Sequence, residues 1–399
     1  MKLIEKLNSD IQHLNRTEEI AYLESSLQKA IAESTDFFLM AKFSLDLAAV
    51  QIKTMQPEAL KLAKKLIDQA NSYIQQGGNE GESAFNYLLG KLHYVQALWS
   101  FEMAIWDDGL RHLQVALDIQ PEVKEQVLIY VLMGKFFERG HNLAEARINF
   151  EKALSIALDV NAASLTGMSC ANLANWHLTT GNSVEARSLY QNALDIAMTE
   201  GDYELKSLCL RGLARVAIAQ SRWQDAITMI EDAIAQLQEP VDTLDIGYLY
   251  CDLTEALLGD RQLERSLFCA RVNLFPRFRE LHFHRGLAIA RYLRGKIYTQ
   301  RIQEGLEPLD EDAIETAEDS LLDASLAFEQ QGMTLDYATS LYELAKLYQL
   351  SLGSQYHYQY QGKALRSLEL ALSILDQLGM SDHQLTQRVD KMLTKLMQG

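Results

Sequence analysis

The sequence predicts an all-α solenoid built from antiparallel helix pairs, and three observations carry this prediction. Fixed self-similarity is the first, because small residues recur every 40 positions at Ala146, Ala186, Ala226 and Ser266. Twelve residues before each of them stands a second small residue, in the series Gly134, Ala174, Ala214 and Thr254. Only 5 prolines occur in 399 residues, which favours long helices over turn-rich β structure. A period of this length is typical of repeat arrays, in which each unit stacks on its neighbours to bury an apolar face.

Each repeat is predicted to contain a helix A, a tight turn and a helix B. The clearest repeat spans residues 127–160, where Gly140 is expected to end helix A in a left-handed conformation. The following repeats are predicted to turn at Gly181, at residues 220–223 and at Gly259. Further helix A segments are predicted at 85–94, 293–298 and 341–348, with longer spacing between them.

Repeat regularity divides the chain into three segments. Residues 1–80 are predicted to hold divergent N-terminal helical repeats, and residues 81–280 the regular array. Residues 281–399 are predicted to hold C-terminal repeats with longer loops, followed by a capping helix at 382–398.

Composition excludes several classes of protein. The net charge of −17 argues against direct nucleic-acid binding, because phosphate contacts need a broad basic face. The chain has no apolar run of about 18 residues, so no membrane span is predicted, and a cytoplasmic location is expected. The four cysteines are scattered without metal-ligand spacing, at Cys170, Cys209, Cys251 and Cys269.

The sequence shows no catalytic pattern. It has no glycine-rich phosphate loop, no GxSxG and no HExxH motif. His282 and His284 are two residues apart, which places them on different faces of a helix. We therefore expect no catalytic residue, no metal and no cofactor, and we expect that the protein is not an enzyme.

Two strings carry a resemblance to a known family. LMGKFFERGHNLAEARINFEKALSIA and LANWHLTTGNSVEARSLYQNALDIA resemble tetratricopeptide repeats, with a large–small–aromatic order in helix A and Ala–aromatic–Ala in helix B. The 40-residue unit is similar to the long-helix variety of kinesin light chain, the MalT sensor domain and Rap-type peptide receptors. The resemblance is most specific for 121–240, and it implies a right-handed superhelix that recognises a protein or peptide segment in its concave groove.

The resemblance also implies which residues line that groove. They follow the small residue of helix A or lie about one turn before it. The candidates are Lys91, Lys135, Asn172, Asn175, Arg211, Arg215, Asp252, Tyr292, Lys296, Tyr342 and Lys346. Asparagine amides would hold an extended peptide backbone, while lysine and arginine would hold carboxylates by charge-assisted hydrogen bonds. The expected partner is therefore a protein or peptide with an acidic or carboxylate-bearing segment. The alternative is that these cations are solvated, helix-favouring residues.

Two other functions fit the same fold. A sensor would bind a signalling peptide or a small acidic ligand and control an effector protein. A scaffold arm would instead bind partners through its convex face. None of these functions specifies an oligomeric state.

Charge is distributed unevenly near the C-terminal third. Residues 261–301 contain nine arginines and one lysine against two acids, whereas residues 302–329 contain ten acids and no base. We expect these adjacent segments to neutralise one another, and a basic landing site is the alternative.

Overall fold

The computed structural model describes residues 16–33, 36–77, 82–119, 121–140, 142–236, 243–351, 357–380 and 383–398. All regular secondary structure in these ranges is helical, as the sequence predicts. The described residues form two compact units, of which the first ends at Val216 and the second starts at Ala217. Residues 78–81, next to the predicted boundary at residue 80, lie outside the described ranges, and the three-segment division stays a prediction. None of the described helices is long and apolar enough to cross a membrane.

The first unit is a series of helix pairs joined by short turns. Its helices are α1 (Arg16–Glu33), α2 (Phe37–Lys53), α3 (Pro57–Gln76), α4 (Glu82–Glu102), α5 (Trp106–Asp118), α6 (Val123–Arg139), α7 (Leu143–Asp159), α8 (Ala163–Thr179), α9 (Ser183–Glu200) and all but the end of α10 (Tyr203–Ala219). The closest packing is within the pairs α2–α3, α4–α5, α6–α7 and α8–α9. Each pair therefore corresponds to one predicted helix A and helix B.

The second unit continues the same pairing. Its helices are α11 (Trp223–Gln236), α12 (Thr243–Gly259), α13 (Leu263–Phe268), α14 (Phe275–Glu280), α15 (His284–Gln303), α16 (Glu311–Gln330), α17 (Thr334–Leu350), α18 (His357–Gln377) and α19 (Gln384–Gln398). A π-helical turn, Cys269–Leu274, joins α13 to α14. Helix α12 packs against this composite helix, α15 packs against α16, and α17 packs against α18.

Small residues let the helices of a pair approach closely. A Cβ atom at Gly134 would lie 2.5 Å from the ring of Phe150, which confirms the predicted crossing of α6 and α7. Ala174 is fully buried in the α8–α9 pair. Tyr190 of α9 is also fully buried, and its ring lies over Gly212 of α10, where a Cβ would overlap it. Aromatic rings thus fill the space that glycines leave open.

The predicted left-handed conformation of Gly140 is wrong, because its φ is −80°. In the next three turns between helix A and helix B, the left-handed residues are Gly181 at 84°, Ser221 at 56° and Arg261 at 61°. These three residues lie 40 positions apart. Gly140 lies 40 positions before Thr180, so it precedes the left-handed position of the repeat by one residue. The turn therefore keeps its left-handed geometry at a fixed position of the repeat even where the residue is not glycine.

Candidate functional site

The candidate groove residues lie on the first helix of successive pairs. In the first unit they belong to α4, α6, α8 and α10, as Lys91, Lys135, Asn172, Asn175, Arg211 and Arg215. In the second unit they belong to α12, α15 and α17, as Asp252, Tyr292, Lys296, Tyr342 and Lys346. The two sets are described separately, since each unit is a compact body of its own.

Lys91 is already neutralised within the fold. Its ammonium forms an ion pair with Asp46 of α2, and Lys42 pairs with the same carboxylate at 2.8 Å. Burial opposes the charged form of Asp46, but the two lysines outweigh it and hold the pKa of this carboxyl below its ordinary value. The ring of Tyr87, one turn before Lys91, lies 6.0 Å from its ammonium. The ion pair of Lys91 therefore joins α4 to α2.

Lys296 of the second unit is also compensated. Its ammonium lies 3.5 Å from the carboxylate of Glu255 on α12 and 5.2 Å from the ring centre of Tyr292. Burial alone would lower the pKa of Lys296, yet Tyr292, Glu255 and Glu343 raise it above its ordinary value. The charged form of this lysine is thus stabilised by neighbours that the chain itself supplies.

Lys346 repeats this arrangement on α17. Its ammonium lies 2.7 Å from Glu343 and 6.0 Å from the ring centre of Tyr342. Glu343 is almost fully buried, at 7 % exposure, so its charge requires a local cation. Asp252 of α12 is similarly buried. In the second unit, acids therefore accompany the candidate cations.

Helices α6, α8 and α10 differ from these outer repeats. Neither Lys135 nor Arg215 forms an ion pair with another described residue. The position that holds tyrosine beside Lys91, Lys296 and Lys346 is taken by Val131 in α6 and Ala171 in α8, and both are buried. Lys135 is half-buried and Arg215 is exposed, so both reach the surface without an ion-pair partner among the described residues.

Two carboxylates, Glu138 and Glu102, act on the charge of Lys135, and Glu138 lies among the cations of the cluster. Burial raises its pKa above the ordinary glutamate value, against the opposing charges of Lys135, Arg139 and Arg215 and a hydrogen bond with Thr179. Burial also lowers the pKa of Lys135, and the charges of Glu138 and Glu102 only partly oppose this shift. Lys135 and Arg215 form no ion pair with a described residue, so an external anion would stabilise their charged forms.

Asn175 presents an oriented amide between these charges. The buried hydroxyl of Tyr190 donates a hydrogen bond to its Oδ1 atom, which leaves the Nδ2 atom as the donor. Asn172 lies beside it but is buried, and its Nδ2 atom donates to the carbonyl of Met168 at 2.8 Å. Asn175 is thus better placed than Asn172 to bond a peptide. Arg211 lies one turn before Arg215 and is half-buried.

The sequence predicted the cationic candidates but not the acids that neutralise some of them. Asp46, Glu138 and Glu343 were not among the candidates, although each governs the charge of a candidate lysine. Glu138 could have been found from its position three residues after Lys135, whereas Asp46 lies 45 residues before Lys91.

Other chemistry is limited in the described ranges. No group of three His, Cys, Asp or Glu side chains is placed to hold a metal ion there. His282 lies in the turn before α15, with φ at 49°, and His284 begins that helix. The four cysteines are buried, and burial raises the pKa of Cys170, Cys209 and Cys269, so their reactive thiolate forms are disfavoured.

Comparison with solved structures places this fold among known proteins. The Rap conjugation gene regulator of plasmid pLS20 in complex with the Phr* peptide aligns with a TM-score of 0.58 and 12% identity, over 94% of this chain and 96% of that chain. The apo form of the quorum sensor NprR from B. thuringiensis gives a TM-score of 0.56 and 15% identity, over 93% and 97%. Aspartyl phosphate phosphatase F from Bacillus subtilis gives 0.57 and 15%, over 91% and 92%.

Sequence comparison gives a narrower result. Curated protein sequences yield no match to this chain. The family model of the tetratricopeptide repeat matches residues 162–239, which contain α8, α9, α10 and α11. These residues carry the 40-residue period and the left-handed turns at Gly181 and Ser221. Residues 162–239 are therefore similar to tetratricopeptide repeats, and the helix pairs around them show the same antiparallel packing.

Proposed function

We propose that this protein is a regulatory receptor that binds an acidic or carboxylate-bearing peptide along α6, α8 and α10. Lys135 and Arg215 bind the carboxylates, Arg211 assists, and the amide of Asn175 bonds the peptide backbone. One observation carries the proposal. Lys91, Lys296 and Lys346 are neutralised by acids of the chain, whereas Lys135 and Arg215 have no ion-pair partner in the described ranges.

The spacing of these side chains suits an extended peptide. Lys135, Asn175 and Arg215 occupy equivalent positions on three successive first helices. Packed helices lie about 8–10 Å apart, so two steps span about 16–20 Å. An extended chain covers about 3.3 Å per residue, so a segment of about five or six residues spans the backbones of these three helices. A ligand of this length favours a peptide over a small acidic metabolite.

The structural neighbours support a regulatory role. One is described as a gene regulator in complex with a peptide, and another as a quorum sensor. A third is called an aspartyl phosphate phosphatase, but nothing in the site described above supplies catalytic groups for that reaction. We infer a non-enzymatic receptor whose peptide controls an effector protein in the cytoplasm.

The test begins with a ligand selected without bias. Random ten-residue peptides with free C-termini are displayed and selected on the purified protein, and the best binder is synthesised. Isothermal titration then compares wild type with Arg211→Ala/Arg215→Ala. We expect the variant to lose about 1.5–3 kcal/mol of binding free energy, the range for hydrogen bonds to a charged group.

A matched control uses two exposed arginines of the same unit. Arg111→Ala/Arg187→Ala removes the same charge from α5 and α9, and it should bind the peptide as wild type does. The peptide with its acids replaced by amides and its C-terminus amidated should bind weakly to every variant. Equal affinity of wild type and Arg211→Ala/Arg215→Ala, with both folded by circular dichroism, rules out this surface.

A further inference from the structure

Two helices of the second unit expose stripes of opposite charge around apolar side chains. The basic stripe runs along α13, the π-helical turn and α14, and consists of Phe268, Arg271, Val272 and Arg279. The acidic stripe runs along α16, and consists of Glu315, Asp319, Leu322 and Leu326. The four apolar side chains are 62 %, 51 %, 45 % and 54 % exposed in the order Phe268, Val272, Leu322 and Leu326.

The charged side chains of the two stripes are not neutralised by the described residues. Arg271, Arg279, Glu315 and Asp319 are exposed, and none forms an ion pair with any residue that the structure describes. The predicted neutralisation of the two segments occurs beside the stripes, through Arg301–Glu307 at 2.8 Å, Arg291–Asp323 at 3.6 Å and Arg261–Glu304 at 3.9 Å. The ion pairs between the two segments therefore do not include the charged residues of the stripes.

Both stripes belong to helices that pack on the same helix, α15. The guanidinium of Arg294 on α15 donates from Nε to the hydroxyl of Ser320 on α16 at 2.9 Å. The same guanidinium lies 5.3 Å from the ring centre of Phe275, the first residue of α14. One side chain thus contacts both stripe-bearing helices, which brings the two helices close together.

The π-helical turn lies at the centre of the basic stripe. Its residues Cys269, Ala270 and Leu274 are buried, whereas Arg271 and Val272 are exposed. The N–H of Phe275 bonds the carbonyl of Ala270, five residues back. Pro276 follows and has no N–H for a regular helical bond, so the wider turn absorbs the break. Such turns occur frequently at functional sites.

We propose that the two stripes form the interface of a homodimer. In a twofold dimer the same surface of both copies is used, and residue i contacts residue j while j contacts i. The basic stripe of one protomer lies on the acidic stripe of the other, and the reverse contact forms at once. A second copy supplies both complementary charges and both pairs of apolar side chains, whereas a simply basic or simply acidic partner satisfies one stripe only.

The test is sedimentation equilibrium of the full chain. Wild type at about 20 µM should sediment as a dimer of the 45.2 kDa chain, and about 1 M NaCl should weaken the dimer by screening the stripes. Two charge reversals are made separately, Arg271→Glu/Arg279→Glu and Glu315→Lys/Asp319→Lys. Each places like charges opposite one another in its own dimer, so each should dimerise at least about tenfold more weakly.

Mixing the two reversed variants gives the decisive result. In the mixed dimer both contacts join opposite charges again, so the equimolar mixture should regain the dimer that each variant loses alone. As a control, Arg111→Glu/Arg187→Glu reverses two exposed arginines of the first unit and should dimerise as wild type does. A monomeric wild type, undiminished dimers of both reversed variants, or a mixture that stays monomeric would overturn the proposal.

Discussion

The packing of Tyr190 on Gly212 gives the sharpest prediction about stability. A Cβ atom at residue 212 would overlap the ring, and Tyr190 is fully buried, so the ring cannot move outward freely. Its hydroxyl also holds the amide of Asn175. Gly212→Ala should therefore displace the ring and break a hydrogen bond that orients a site residue.

Three contributions set the magnitude. Overpacking a filled core costs about 1–3 kcal/mol. The lost hydrogen bond between Tyr190 and Asn175 costs about 0.5–1.5 kcal/mol. Alanine in place of glycine inside a helix recovers about 1 kcal/mol. The expected net loss in the free energy of unfolding is thus about 2 kcal/mol, near the middle of the combined range.

Urea denaturation followed by circular dichroism measures this loss. Gly90→Ala is the matched control, because Gly90 also lies inside a helix but a Cβ there meets no atom within 4 Å. That control should gain up to about 1 kcal/mol from helix propensity alone. If Gly212→Ala unfolds at the same urea concentration as wild type, or at a higher one, the assigned packing is refuted.

Three further predictions follow from the charges and hydrogen bonds of the first unit. Peptide affinity should fall as pH rises through the lowered pKa of Lys135, because only the ammonium form binds a carboxylate. Titrations at about pH 7.5 and about pH 9.5 measure this loss of affinity, and Lys135→Arg is the control whose affinity should not change with pH. Tyr190→Phe should cost about 1 kcal/mol of stability and weaken peptide binding by freeing the amide of Asn175, as denaturation and titration would show. Lys91→Met should move acid unfolding to higher pH. The lowered pKa of Asp46 gives stability that is present above the ordinary carboxyl range and is lost as pH falls through the folded value, and removing Lys91 raises that value.

The fold was predictable because the repeat encodes its own register. The small residues at 40-residue spacing placed the α6–α7 crossing correctly at Gly134. The glycine at residue 140 misled the prediction because glycine fits many positions, whereas the left-handed turn is fixed by register at residues 181, 221 and 261. Comparing equivalent positions across repeats would have been more informative than the residue type alone.

The candidate site was predictable in position but not in charge state. Equivalent positions identify Lys91, Lys135 and Lys346 equally well, since all follow the small residue of a first helix. Only the packing shows that Asp46 and Glu343 neutralise the first and last of them. Asp46 belongs to a distant helix, which periodicity along one helix does not reveal. Glu343 lies one turn before Lys346 on the same helix, and its burial distinguishes it.

The structure of the complex with the selected peptide tests the central claim most directly. We predict that the peptide lies extended across α6, α8 and α10. One of its carboxylates should lie about 3 Å from the Nζ atom of Lys135 or the guanidinium of Arg215, the distance of a charge-assisted hydrogen bond. A peptide bound instead beside Lys296 and Lys346 in the second unit, with Lys135 and Arg215 still free, would contradict it.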